Sequence, residues 1–124
     1  MNWENRHNSK IVVIDEIPHH IEQVKEVIGE SCAIQVVRSP FKLISFLCAE
    51  KPDVVVVNSA INWFRTDTLC RAINNAPALA DTPIVLYNTE NTTVNAANVH
   101  FFRNCHITPD PSRAAEEARR LITR

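Results

Sequence analysis

Glycine is almost missing from this chain: Gly29 is the single one in 124 residues. With no GxGxxG run and no P-loop, dinucleotide binding by a glycine-rich turn and triphosphate binding by a Walker-type loop are both excluded. CxxC pairs are also missing. The four cysteines, Cys32, Cys48, Cys70 and Cys105, are scattered, which argues against a zinc knuckle or a disulfide frame and for the reduced thiols of a cytoplasmic protein. Small-hydrophobe packing accounts for Cys32, Cys48 and Cys70, leaving Cys105, between Asn104 and His106, as the thiol expected at the surface. No apolar stretch approaches the length of a membrane span, and the start, MNWENRHNSK, lacks the apolar core of a signal peptide, so no membrane association is expected. Long basic runs are absent and the formal net charge is −1. Binding to a nucleic-acid backbone is therefore not favoured, nor is there a basic recognition helix.

What remains is an ordinary globular composition, 45% apolar and 22% charged, in a length suited to one domain with one core. The stretch PDVVVVN, Pro52 to Asn58, stands out. Four consecutive valines are too apolar for a half-exposed strand and too β-branched for a comfortable helix, so they predict a central parallel strand buried on both faces. The run stops at the polar Asn58. In open α/β sheets the carboxyl end of a central strand is where sites are built.

Taken in order, the chain alternates strand and helix. Met1 to Ser9 are polar and expected to form a flexible N-terminal segment, leaving residues 10–124 as the domain. Lys10 to Ile14 reads as a strand ending in Asp15-Glu16. Pro18 opens a helix with Ile21, Val24, Val27 and Ile28 on one face and Gly29 near its end. Cys32 to Val37 is a second strand, and Ser39-Pro40 signals the start of a helix buried through Leu43, Ile44 and Leu47. After the central strand, Thr66 or Asp67 can cap a helix carrying Leu69, Cys70, Ala72 and Ile73. A loop from Asn75 to Asp81 leads to a fourth strand, Pro83 to Tyr87. Between Asn88 and Pro109, Val94, Ala97, Phe101 and Phe102 fit the face of a fourth helix, with Asn104 as its left-handed cap and Cys105 to Thr108 as the fifth strand. The rival reading makes Val99 to Phe102 the strand. Asp110-Pro111 opens the last helix, with Ala114, Ala118, Leu121 and Ile122 inward. Five βα units in series predict a doubly wound, flavodoxin-like α/β sandwich of three layers.

These segments together resemble the receiver domain of response regulators, the CheY-like fold, over roughly Lys10 to the C-terminus. KIVVIDE resembles the receiver's first strand and acidic pair. PDVVVVN resembles the third strand, NAPALADTPIVLYN the third-helix exit and fourth strand, and TPDPSRAAEEARRLI the end of the fifth strand and the last helix. The resemblance implies a five-stranded parallel sheet in the order 2-1-3-4-5.

It also implies where chemistry would sit, and there the sequence departs. Receivers take a phosphoryl group on an aspartate at the end of the third strand, with Mg²⁺ held by that aspartate, the acidic pair and a nearby carbonyl. Here the acidic pair is Asp15 and Glu16 and the carbonyl falls to Ala60, but the acceptor position is Asn58, a poor nucleophile without the charge that helps hold the metal. The family's hydroxyl residue after the fourth strand is Asn88. Its lysine after the fifth strand is matched by Thr108, or by Arg103 on the rival reading. Any Mg²⁺ binding is expected to be weak, and no other cofactor is implied. Two adjacent carboxylates at a strand end are more often solvated than ligating. His19 and His20 could make a transition-metal site with Glu16, but adjacent helix residues point in different directions, and a solvated helix start is the expectation.

The reading is a pseudo-receiver: a non-catalytic module of two-component-type signalling, acting through a protein partner without phosphorylation. Trp63 and Phe64, on the loop after the acceptor position, are partner-contact candidates or a cap over the pocket. By resemblance, the contact face is the helix before the fifth strand, that strand and the last helix, implicating Phe101, Phe102, Cys105 and Arg113, with self-association through the same face. The alternatives are a switch whose acidic pocket binds a metal or small anion, and a domain phosphorylated after deamidation of Asn58 or on another residue.

Overall fold

The computed structural model describes residues 9–88 and 103–123. Five parallel strands, β1 (Lys10–Ile14), β2 (Ala33–Val37), β3 (Val54–Asn58), β4 (Ile84–Tyr87) and β5 (Cys105–Ile107), form one sheet in the order β2-β1-β3-β4-β5. Four helices are described: α1 (Pro18–Ile28), α2 (Leu43–Glu50), α3 (Thr66–Asn75) and α4 (Pro111–Thr123), with a single 3₁₀ turn at Pro77–Leu79. Among the described residues no helix is long and apolar enough to cross a membrane.

β3 is central, as its valines require. All five of its residues are buried, and they alternate between the two cores. Val54 and Val56 join Ile11, Val13 and Val85 under α1 and α4. Val55 and Val57 join Val12, Ile14, Ile84 and Leu86 under α2 and α3. Burying each valine completely contributes about 1.5 kcal/mol as an upper figure, which is why a strand without a polar face belongs between two helical layers. Neighbouring strands end level: Ile14 lies beside Val37 and Val57, and Asn58 beside Tyr87.

Several boundaries differ from the sequence reading. The second strand begins at Ala33, after Cys32, and the fourth at Ile84, after Pro83, which lacks the N–H a ladder needs. The Ser39-Pro40 signal does make a turn, in which Ser39 Oγ accepts the Phe41 N–H at 3.1 Å. The helix nevertheless waits until Leu43, because Lys42 adopts a left-handed conformation, φ 53°, that no α-helix can pass through. Neither Thr66 nor Asp67 caps α3; both lie inside it, and the flanking residue is Arg65. The fifth strand is Cys105–Ile107, preceded by Asn104 with φ 56°. The expected fourth helix, with Phe101 and Phe102, and the expected flexible segment up to residue 8 lie outside the described residues.

Candidate functional site

The carboxyl ends of β1, β3 and β4 bring Asp15, Asn58, Tyr87 and Asn88 together. The acidic pair is split by the strand's alternation: Asp15 is completely buried while Glu16 is exposed. The Asp15 carboxylate then becomes the hub of a closed network. Its Oδ1 accepts the N–H groups of Glu16 at 2.7 Å and Ile17 at 3.0 Å, and Asn58 Nδ2 at 3.1 Å. Its Oδ2 accepts His20 Nδ1 at 2.8 Å and the Tyr87 hydroxyl. An ionised carboxylate cannot donate, so Nδ1 of His20 carries the proton.

Five donors on two oxygens saturate the roughly four lone-pair sites of a carboxylate. Burial pushes the Asp15 carboxyl up. The donors Tyr87, the Ile17 N–H, Asn58 and His20 outweigh it and hold the group below its ordinary value. Burial, then the hydrogen bond to Asp15 and its charge, push the Tyr87 phenol far above the ordinary range, so it remains a donor. Magnitudes explain the net direction. Removing a lone carboxylate from water costs several kcal/mol, whereas hydrogen bonds to a charged group contribute about 1.5–3 kcal/mol each.

Asn58 extends the network on its other side. Its Oδ1 accepts the Ala60 N–H at 2.9 Å and Asn88 Nδ2 at 3.3 Å. Asn88 reaches it from a left-handed conformation, φ 60°, which asparagine tolerates better than most residues. Thr108, at the end of β5, sends both its N–H and its hydroxyl to the Leu86 carbonyl, each at 2.8 Å. Its Oγ is thereby committed to the sheet. Arg103 lies at the other end of β5, bound to Asn74 through its N–H at 2.8 Å and its guanidinium at 2.7 Å. The position after the fifth strand is therefore Thr108, and the Arg103 alternative falls.

Mg²⁺ does not fit these residues as arranged. It needs six oxygens in near-ideal octahedral geometry. Asp15 has no free lone pair, Asn58 presents an N–H₂ to Asp15, and the Asn58 oxygen is occupied twice. Among the described residues no three His, Cys, Asp or Glu side chains are grouped to hold a metal ion.

Other expectations need correction. His20 is not part of a solvated helix start: only 14% of its side chain is exposed, because the first turn of α1 folds back over Asp15, leaving His19 exposed. Its ring also meets Tyr87 edge-on at 5.8 Å. Cys105 is half-buried and packs with Cys70, whose thiol it faces, against the α2/α3 core. Trp63 and Phe64 lie, as expected, on the loop between β3 and α3. Both are half-buried against that core, in a T-shaped contact at 6.1 Å. Arg113 is exposed on α4, where its N–H is accepted by Asp110 Oδ1 at 2.8 Å. The exposed aromatic that sequence reasoning missed is Phe41, 76% accessible. The signal was available in its place directly after Pro40, in a turn rather than a helix.

No protein-family model and no curated protein matches the chain. Solved structures do. The chemotaxis response regulator CheY4 of Vibrio cholerae is 11% identical with a TM-score of 0.75, covering 91% of this chain and 98% of its own. The receiver domain of a sensor histidine kinase from Pseudomonas aeruginosa PAO1, which holds a magnesium ion in its active-site cleft, is 12% identical with a TM-score of 0.73, over 93% and 95%. The signal receiver domain of a histidine kinase from Syntrophus aciditrophicus is 19% identical with a TM-score of 0.69, over 93% and 90%. At such identities the likeness establishes the fold, which is that of receiver domains.

Proposed function

We propose, with the receiver fold as premise, that this domain is a pseudo-receiver: a cytoplasmic, non-catalytic signalling module that works by protein–protein contact and takes no phosphoryl group. The observation that carries the reading is the saturated Asp15 carboxylate. Asn58 stands where the fold's relatives, by resemblance, place a phosphorylated aspartate, and its amide donates to Asp15. A neutral donor thus fills the place that a cation would need. The amide nitrogen is no nucleophile, and the amide oxygen is held by Ala60 and Asn88. Among the described residues, the Asp15 and Asn58 oxygens already have protein partners, so a ligand that biased two states would have to displace them.

The test is an NMR amide-shift titration with Mg²⁺, then with Mg²⁺ and beryllofluoride, on the wild-type chain and on Asn58→Asp. Wild type is expected to show no saturable shifts at Asp15, Glu16, Asn58 and Asn88. Asn58→Asp sets a second carboxylate beside Asp15 and is expected to gain a metal response that relieves the repulsion. Saturating shifts in the wild type, spreading beyond the pocket, would overturn the reading and favour a ligand-operated switch.

A further inference from the structure

We infer that the corner formed by the end of β2 and the start of α2 is a docking site for an acidic protein segment carrying an apolar anchor. The inference rests on the reading of the domain as a contact module and names the surface and the chemistry of what it contacts. Arg38 to Lys42, sequence RSPFK, are all exposed. A single exposed phenylalanine is ordinary. Here three further observations surround it.

First, Phe41 borders an open depression of about 490 Å³ whose apolar wall includes Val36, Val37 and Phe46. A second depression of about 390 Å³, between α2 and α3, is walled by Ile44, Phe64 and Leu69. The two share Lys42, Leu43 and Ser45, so they flank one ridge and offer two adjacent seats for side chains. Second, α2 itself, LISFLCAE, is apolar nearly all round. Such a helix belongs in an interior, yet Ile44, Phe46 and Cys48 remain only half-buried. Third, the charges are of one sign. Arg38 and Lys42 line the depressions and no acidic side chain does. Among the described residues neither cation has a carboxylate partner, and the Lys42 ammonium rests over the Phe41 ring at 5.3 Å.

Two unpaired cations beside two adjacent apolar seats complement a segment with two neighbouring apolar anchors, flanked by Asp or Glu. Concave seats favour a protein segment over a lipid surface, which would meet the protruding phenylalanine but leave the depressions unused.

The test uses a labelled, alanine-based helical peptide with Leu and Trp at i and i+4 among glutamates, and its twin with lysines for the glutamates. Amide shifts of the whole chain are followed in EDTA, so the metal question stays separate. The acidic peptide is expected to shift Val36 to Phe46 and Phe64 to Ala72, with affinity falling as salt rises. The lysine twin should not bind. Phe41→Ser, and Arg38→Glu combined with Lys42→Glu, should each weaken binding by roughly tenfold or more. Equal binding of the twin, shifts mapping elsewhere, no shifts at millimolar peptide, or indifference to the substitutions would overturn the inference. So would preferential binding to phosphatidylserine vesicles over the peptide, or self-association abolished by Phe41→Ser, which would make the occupant a membrane or a second copy. Because the pocket around Asp15 takes no part, failure here leaves the pseudo-receiver reading standing, and a metal response leaves this site standing.

Discussion

The two faces of the sheet are finished differently. On one, α1 and α4 lie against each other over β1, β3 and β4, joined through the buried alanines Ala114, Ala115 and Ala118. Small residues let the helices come close, and Tyr87 and His20 tie the same side to Asp15. On the other face α2 and α3 are parted by a groove, and beside it Ile44 and Phe64 are large and half-exposed. One face is closed by packing and by hydrogen bonds, whereas among the described residues the other leaves apolar side chains half-exposed. In a fold whose resemblance places its chemistry at the strand ends, the closed face holds that place and the open one lies beside it.

The sharpest way to break the contrast is Asp15→Asn. It replaces one of the two acceptor oxygens with a donor, so that His20 and Tyr87 lose their acceptor when the remaining oxygen serves Glu16, Ile17 and Asn58, and unfolding in urea at neutral pH should show a loss of about 3 kcal/mol. The pH dependence has a definite sign. Asp15 titrates below its ordinary value when folded, so its stabilisation is complete above that ordinary value and is lost as pH falls through the folded one. The gap between wild type and variant should therefore narrow in acid. A constant gap would mean that the loss is one of packing.

A gentler contrast comes from adding the same side chain to each face. Ala118→Leu, at a fully buried position, should cost about 2 kcal/mol through overpacking. Ala72→Leu, facing the groove, should change stability by no more than about 0.5 kcal/mol. Equal losses in thermal unfolding would show that the groove is already filled. The smallest effect is expected at Phe41. Replacing it with serine should leave the melting temperature nearly unchanged, within about 0.5 kcal/mol of stability, and a larger loss would place its ring inside the fold.

The sheet was legible because its signals are long-range and redundant. Val54 to Val57 could only be a doubly covered strand, and every neighbouring element follows from alternation with helical stripes. The gathering of Asp15, Asn58 and Asn88 was likewise available, through the resemblance and the strand ends. Their conversion into a sealed network was not. Tyr87 sits in an apolar run, IVLY, and nothing in that pattern tells that its hydroxyl faces a carboxylate. His20 is one of two adjacent histidines, and only the direction in which α1 leaves β1 decides which turns inward. Phe41 was hidden for a local reason: a left-handed Lys42 after a proline signal delays the helix by one turn.

One consequence of the Asn58–Asp15 bond concerns strand alignment. Val54 to Val57 are identical, so sliding β3 past β1 by one residue would exchange valine for valine at three of the four paired positions. Hydrophobic pattern, which ordinarily fixes such an alignment, is nearly silent here. What speaks instead are the two polar ends of the run. Asp53 takes the Lys10 N–H at 2.7 Å on its carboxylate, and Asn58 meets Asp15 at the other end. Asn58 serves as one of two marks on a ruler, and an asparagine there has work to do in every molecule that folds.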